Sequence, residues 1–299
     1  MSIRRSERGQ ATVILLIWLV VLLGMAALVL DVGSWFQAQR QTQSAADAAA
    51  LAAAQALPDD GATAKALGAQ YVTTNGGGTT TVTLGMSYVA DDTVRVTVAR
   101  DTPGLFARVL GINSVTVRAK AAARTGPPGA ARWGAPFAVD ETHPLLQCDP
   151  EPCFGEDARL ELDKVGPGAY RLINLDRSHG GIGGTTLAEW ILQGFGEEMT
   201  RDWYYSDPGA KFNSSHVRDA LDARLGTELL FPVYRQTRSS GANFEYEVIG
   251  WVGFFLTDYH IQGSKLSWLD GSFTKLIWEG TQGGPGTSNF GVSTIQLIE

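Results

Sequence analysis

Two cysteines stand closest to chemistry. Cys148 and Cys153 are five positions apart, with Asp149, Pro150, Glu151 and Pro152 between them. Three states compete for such a pair. A metal site needs two further ligands, and His143, Asp149 and Glu151 are the nearest in sequence. Free thiols are a second state. The simplest is a disulfide in an oxidising compartment, because the turn residues between the thiols let the chain double back. The closed loop is short, so its entropic gain is on the order of 2 kcal/mol.

Other candidate motifs lose to plainer readings. Gly180-Gly181-Ile182-Gly183-Gly184 precedes a helix but lacks the lysine of a phosphate-binding loop, so a turn is expected. Asp270-Gly271-Ser272-Phe273-Thr274 has the D-x-S-x-T order of von Willebrand A metal sites, but only 25 residues follow it. It too is expected to be a turn. The four histidines are His143, His179, His216 and His260. No G-x-S-x-G elbow and no H-E-x-x-H helix accompanies them. The expectation is therefore no catalytic residue, no cofactor and no metal, hence not an enzyme.

Whatever these residues do, the rest of the chain must hold them, and its start is the most informative part. Residues 11–30 are an unbroken apolar run of 20 residues. At ~1.5 Å per residue the run spans ~30 Å, the hydrocarbon thickness of a bilayer. Arg4, Arg5 and Arg8 precede it, opposed only by Glu7, and Asp31 follows it. The positive-inside bias makes these arginines topology-determining: residues 1–10 form a cytoplasmic stub, and everything from Asp31 on lies outside. A cleaved signal peptide has a shorter apolar core ending at a small-x-small site, so a retained anchor is expected.

Past the run there is no proline until Pro58, and nine of the twelve residues 45–56 are alanine, the best helix former. The helix is expected to continue to Leu57. Its small face, Ala45, Ala46, Ala49, Ala50 and Ala53, permits close approach of a neighbour. That neighbour is either the rest of its own domain or a partner helix.

These residues carry a resemblance. ArgGlyGlnAlaThrVal (8–13), the apolar run, LeuAspValGlySerTrpPhe (30–36) and the alanine-rich stretch 41–54 together resemble the N-terminal module of the TadE/TadG-like family. The resemblance implies a protein of tight-adherence (Flp) pilus assembly, with pilins or assembly proteins as partners. Prepilin-like members are cut after a glycine that has glutamate at the fifth position beyond it. Here Gly9 is that glycine, and Ile14 stands where the glutamate would be. The resemblance therefore implies the permanently anchored, TadG-like type.

Two α+β units are expected behind the anchor, with mainly antiparallel sheets. In residues 31–123, a helix over 62–72 precedes a hairpin. Its strands place Val82, Leu84, Met86 and Tyr88 on one face, and Val94, Val96 and Val98 on the other strand. Residues 101–103 are expected to open a short helix ending at Gly111, followed by a strand through Val115, Val117 and Ala119. Residues 124–136, rich in Gly and Pro, read as a linker.

Residues 137–299 alternate strands (169–175, 229–237, 244–257, 273–278, 292–298) with two helices. Thr185 or Thr186 is expected to cap the first, with a capping box to Glu189, and Ser214 or Ser215 the second. Pro232 suggests that its strand is an edge.

Composition sets the limits. The 299 residues are 44% hydrophobic and 18% charged, which is globular, and the net charge of −7 argues against a nucleic-acid partner. The expected function is an extracytoplasmic scaffold of a Flp-type pilus, held in the plasma membrane. The alternatives are an envelope module binding a glycan or other ligand through exposed Trp190, Trp203, Tyr204 and Tyr205, and a secreted hydrolase with a deep pocket.

Overall fold

A computed structural model describes residues 8–149, 152–162, 171–207, 211–240 and 243–298, with backbone only for 8–10. The chain forms two compact units, one of Met1–Arg124 with Leu297–Glu299 and one of Thr125–Gln296. The fold is α+β, with mostly antiparallel sheets behind one long helix.

In the first unit, α1 (Arg8–Ala54) is a single helix of 47 residues. No proline interrupts it, and its alanines favour continuation. The last turn tightens instead of running on to Leu57. Gln55, Ala56 and Leu57 donate to carbonyls three residues back, at 3.3 Å each. Next comes α2 (Gly61–Thr74), capped by Asp60, whose carboxylate accepts from the Thr63 N–H at 2.8 Å and its hydroxyl at 2.6 Å.

Three antiparallel strands complete the unit: β1 (Thr79–Gly85), β2 (Thr93–Pro103) and β3 (Ser114–Gly126), in the order β1-β2-β3. Val94, Val96 and Val98 alternate onto the buried face of β2, the side against which α1 lies. β1 stops at Gly85, so Met86 and Tyr88 belong to the exposed connection rather than to the expected strand face. The cause is Asp92, 2% exposed, which accepts the N–H groups of Ser87, Tyr88 and Val89 at 2.7, 2.7 and 3.0 Å. That collar bends the chain out of the ladder.

The expected helix over residues 101–111 is also shorter. Residues 101–103 finish β2 against Ser114, Val115 and Thr116 of β3, and only Ala107–Leu110 turn helical, as one 3-10 turn. Pro103 lies past Ala99, the last residue of β2 that pairs with β1, so its strand is an edge there and proline is tolerated. Gly111 closes the turn with φ 84°.

The second unit begins inside the expected linker. Its first two residues finish β3, and β4 (Pro128–Ala131) follows, with Ala130, Ala131 and Ala135 buried. Small residues and proline here mark a tight approach of backbones. A Cβ on Gly129 would meet Gly283 Cα at 3.0 Å.

Then come β5 (Val139–Asp140), β6 (Asp157–Glu161), α3 (Gly184–Leu192), β7 (Met199–Thr200), β8 (Trp203–Tyr205), α4 (Ser215–Arg224), β9 (Thr227–Arg238), β10 (Glu245–Gln262), β11 (Lys265–Thr274), β12 (Leu276–Ile277), β13 (Gly280–Gln282) and β14 (Val292–Leu297). The main sheet runs β5-β9-β10-β11-β6, with β8 also on β10, and β13-β4-β7 form a smaller one.

Several expectations shift in this unit. Leu172 and Ile173 make only isolated bridges, while 163–170 lie outside the described residues, so no strand over 169–175 is seen. β9 is flanked by both β5 and β10, so Pro232 does not mark a free edge. The carbonyls of Leu230 and Tyr234 accept from Ala135 and Glu141. Pro232 faces the same side, where the short β5 demands no N–H from it. α3 is capped by Gly183 without a side-chain bond, so neither Thr185, Thr186 nor a Glu189 capping box serves it. Ser214 is the N-cap of α4, also without a side-chain bond.

Candidate functional site: the first helix and what it carries

Along α1 the environment changes once. Residues 11–30 are exposed, apart from half-buried Ala27, and Asp31 is 1% exposed. A carboxylate that deep requires partners, and it has three. Asp31 Oδ1 accepts from Leu105 N–H at 2.7 Å, its two oxygens share Phe106 N–H at 3.1 and 3.0 Å, and Oδ2 accepts from Ala107 N–H at 2.5 Å. These amides open the 3-10 turn and have no partner within it. One side chain on the helix therefore satisfies the N-terminus of a turn more than seventy residues away. Gly104 lets the connection close tightly on itself, since a Cβ there would stand 2.7 Å from the Ile112 carbonyl.

Further along, the helix is laced to β3. Gln39 Nε2 donates to the Arg118 carbonyl at 2.7 Å, and Gln43 Nε2 to the Lys120 carbonyl at 2.8 Å. Val32, Trp35, Phe36, Gln39, Val115 and Val117 line a shallow groove of about 320 Å³ between helix and strand. The Trp35 indole N–H is buried without a hydrogen-bond partner.

From Thr42 onward the buried face is small. Ala45, Ala46, Ala49, Ala50 and Ala53 are all at or below 1% exposure, covered by α2 and the sheet of their own unit. The cover is equally small: α2 presents Ala64, Gly68 and Val72, and a Cβ on Gly68 would meet Val82 at 3.1 Å and Ala53 at 3.5 Å. Of the two neighbours open to this face by sequence, the unit's own elements occupy it.

The other residues singled out by sequence are scattered. Arg4 and Arg5 lie outside the described residues, and Arg8 is the first helical residue, with backbone only. Cys148 and Cys153 form a disulfide with Cα atoms 5.7 Å apart, and the Cys153 N–H donates to the Leu145 carbonyl at 2.8 Å. Nearby, His143 packs edge-on against Phe273, and burial pushes its imidazole below its ordinary pKa. Glu151 lies outside the described residues, and no cluster of three or more His, Cys, Asp or Glu placed to hold a metal occurs among the described ones.

The glycine run ends as a loop whose Ile182 N–H donates to Asp207, itself paired with Lys211 at 2.8 Å. Residues 270–274 are not a turn. They lie in β11, where Asp270 pairs with Arg159 at 2.6 Å and a Cβ on Gly271 would stand 2.0 Å from the Phe255 carbonyl.

Trp190 and Tyr204 are buried, Trp203 lies under Arg238 and Tyr205 against His179, so the four do not form an exposed platform. The described cavity of the second unit holds about 340 Å³, lined by Arg201, Asp202, Trp203, Arg235 and Glu247 among others. Its Arg235 is paired with Glu141 at 2.9 Å and its Asp202 with Arg177 at 3.1 Å.

In sequence Asp31 is only a boundary charge, and nothing adjacent to it points to the loop it holds. A signal was present: Leu105, Phe106, Val109, Leu110 and Ile112 are five large apolar residues within the ten-residue connection between β2 and β3.

Among the described residues one helix, near the N-terminus, is long and apolar enough to cross a membrane; it continues directly into a small α+β unit, and a second, β-rich unit follows in sequence. Residues 9–56 match the family described as "Putative Flp pilus-assembly TadE/G-like". That match covers the apolar run, Asp31 and the alanine face, and ends two residues past the helix. No curated protein and no solved structure matches the chain.

Proposed function

We propose that this chain is a single-pass, membrane-anchored accessory protein of Flp-type pilus assembly. In this reading residues 1–10 are cytoplasmic, α1 crosses the plasma membrane, and both units lie outside as a scaffold for pilins or other assembly proteins. One observation carries the reading. The TadE/G-like match at residues 9–56 coincides with one uninterrupted helix, exposed over 11–30 and carrying a buried face from Asp31 on. An exposed apolar half with no protein cover is what a lipid-facing segment requires. The buried half ties it rigidly to a folded unit. Arg4, Arg5 and Arg8 on one side, against Asp31 on the other, supply the orientation. The Cys148–Cys153 disulfide suits the oxidising side.

Deletion of the chain in its native bacterium tests the role. Loss of surface pili, with pilin still made and retained in the membrane, is the expected result. Normal piliation sinks the assembly role. Orientation is tested separately with single cysteines at Met86 and at Ser2, labelled by a membrane-impermeant thiol reagent in intact spheroplasts. Labelling at 86 and not at 2 is expected, and the reverse inverts the topology.

A further inference from the structure

We infer that the connection 104–112 is a second membrane contact, a foot that seats the first unit on the lipid surface beside the crossing helix. The inference rests on the anchoring reading above. Five large apolar side chains project from this connection: Leu105, Phe106, Val109, Leu110 and Ile112, with Val109 88% and Leu110 81% exposed. Water-facing exposure on that scale in a nine-residue stretch needs a cover.

Geometry selects the bilayer as that cover. Gln39 and Gln43 on α1 bond Arg118 and Lys120 on β3, so four helix residues advance in step with two strand residues. The two rises agree, at about 6 Å for the helix and about 6.6 Å for the strand. Following β3 back from Arg118 to its start at Ser114 covers about 13 Å, which on the helix is about nine residues and arrives at residue 30. The connection lies beyond that strand end. The Asp31 carboxylate fixes the same level independently, gripping the N–H groups of residues 105–107. The foot is therefore level with the last residues of the apolar run, where a bilayer around residues 11–30 has its interface. Arg108, exposed within the same turn, sits where it can meet lipid phosphates. Asp31 gains a second meaning: a charge at the membrane edge is satisfied by hydrogen bonds from three amides, and these hold the turn with its apolar side chains toward the lipid.

The test uses the full chain in vesicles of phosphatidylethanolamine and phosphatidylglycerol. The native disulfide is kept oxidised, and one added cysteine carries an environment-sensitive fluorophore. Three positions are compared: Val109→Cys on the foot, Val21→Cys within the apolar run and Met86→Cys. Met86 sits past the far end of the 11-residue β2, about 36 Å from the foot. All three side chains are exposed, so labelling leaves the fold intact. Blue-shifted emission quenched by acyl-chain spin labels is expected at 21 and at 109, with the 109 probe about 5–10 Å below the headgroups. The 86 probe stays water-like and unquenched. Quenching at 21 with a water-like 109 overturns the foot while the anchor stands. An unquenched 21 overturns the anchor reading and the foot with it. A photocrosslinker at 109 yielding a discrete protein adduct in native membranes, together with no quenching in vesicles, reassigns the surface to a protein partner and also overturns the foot.

Discussion

The two units keep water out by opposite means. The first closes on alanine: Ala45, Ala46, Ala49, Ala50 and Ala53 of α1 meet Ala64 and Gly68 of α2 and the valines of β2. The second closes on rings. Trp251, Tyr204, Tyr246, Phe137, Phe231, Phe254 and Phe273 are all buried, with Phe254 stacked on Phe231 at 5.2 Å and edge-on to Phe273 at 5.6 Å. An alanine seam gains little from each side chain but lets backbones lie close, and it has no room for growth. An aromatic core gains about 1.5–3 kcal/mol for each large side chain buried, and it suffers most from truncation. A rigid joint between a long apolar helix and its unit suits the first design. A unit without such a helix must be held by its own bulk.

The comparison breaks most sharply with Phe254→Ala. Removing a ring at the centre of the stack is expected to cost about 3–5 kcal/mol. Tryptophan fluorescence during urea unfolding would read this, since six of the eight tryptophans lie in residues 125–296. A loss below about 1 kcal/mol would mean that the rings are filler and not the support.

The converse is Ala50→Leu, which overfills the alanine seam and is expected to cost about 1–3 kcal/mol. Amide hydrogen exchange would show faster exchange in α2 and β2 with the second unit unchanged. Stability unaltered by the leucine would show that the seam is loose.

The disulfide sharpens the picture for the ring-built unit. Replacing Cys148 and Cys153 together by serine is expected to cost about 2 kcal/mol, less than a single ring. A thermal shift larger than that of Phe254→Ala would reverse the ranking.

The smallest expected effect sits at Asp92 in the first unit. Burial alone would raise its carboxyl, but the N–H groups of Tyr88, Ser87 and Val89 and the Thr93 hydroxyl outweigh it and hold the pKa below the ordinary carboxylate value. A lowered folded value means that the contribution is fully present above the ordinary carboxylate pKa and is lost as pH falls through the folded value. Asp92→Asn is expected to cost about 1 kcal/mol at neutral pH, like the loss of a cap, and to flatten the acid limb of the first unit's stability curve below about pH 4. An unchanged acid limb would remove Asp92 as its cause.

Much of the first unit was legible in the chain. The apolar run, the proline-free alanine stretch and the alternating valines each specify a local structure without help from distant residues. The same holds for α2, where Asp60 caps the third residue on. Two failures came where the deciding neighbour is remote. Residues 124–136 look like a linker by composition, yet Gly129 and the alanines are small because another backbone lies against them. Residues 270–274 look like a turn, yet Gly271 is a strand residue whose hydrogen faces a carbonyl of β10.

The two carboxylates that collect backbone amides draw the same line. Asp92 grips residues three to five positions away, and the Asp91-Asp92 pair announces a turn to anyone reading the sequence. Asp31 does the same work across 74 to 76 positions, and in sequence it is only the first charge after an apolar run. By itself the sequence determined a helix of membrane length, its continuation into alanine and the charge bias across it, because those follow from side-chain chemistry and local backbone preference. Only the tertiary structure decided that α1 fills its own unit's seam and that Asp31 holds the apolar turn at the end of the span. Both depend on which surfaces meet when distant segments pack, and no local pattern encodes that.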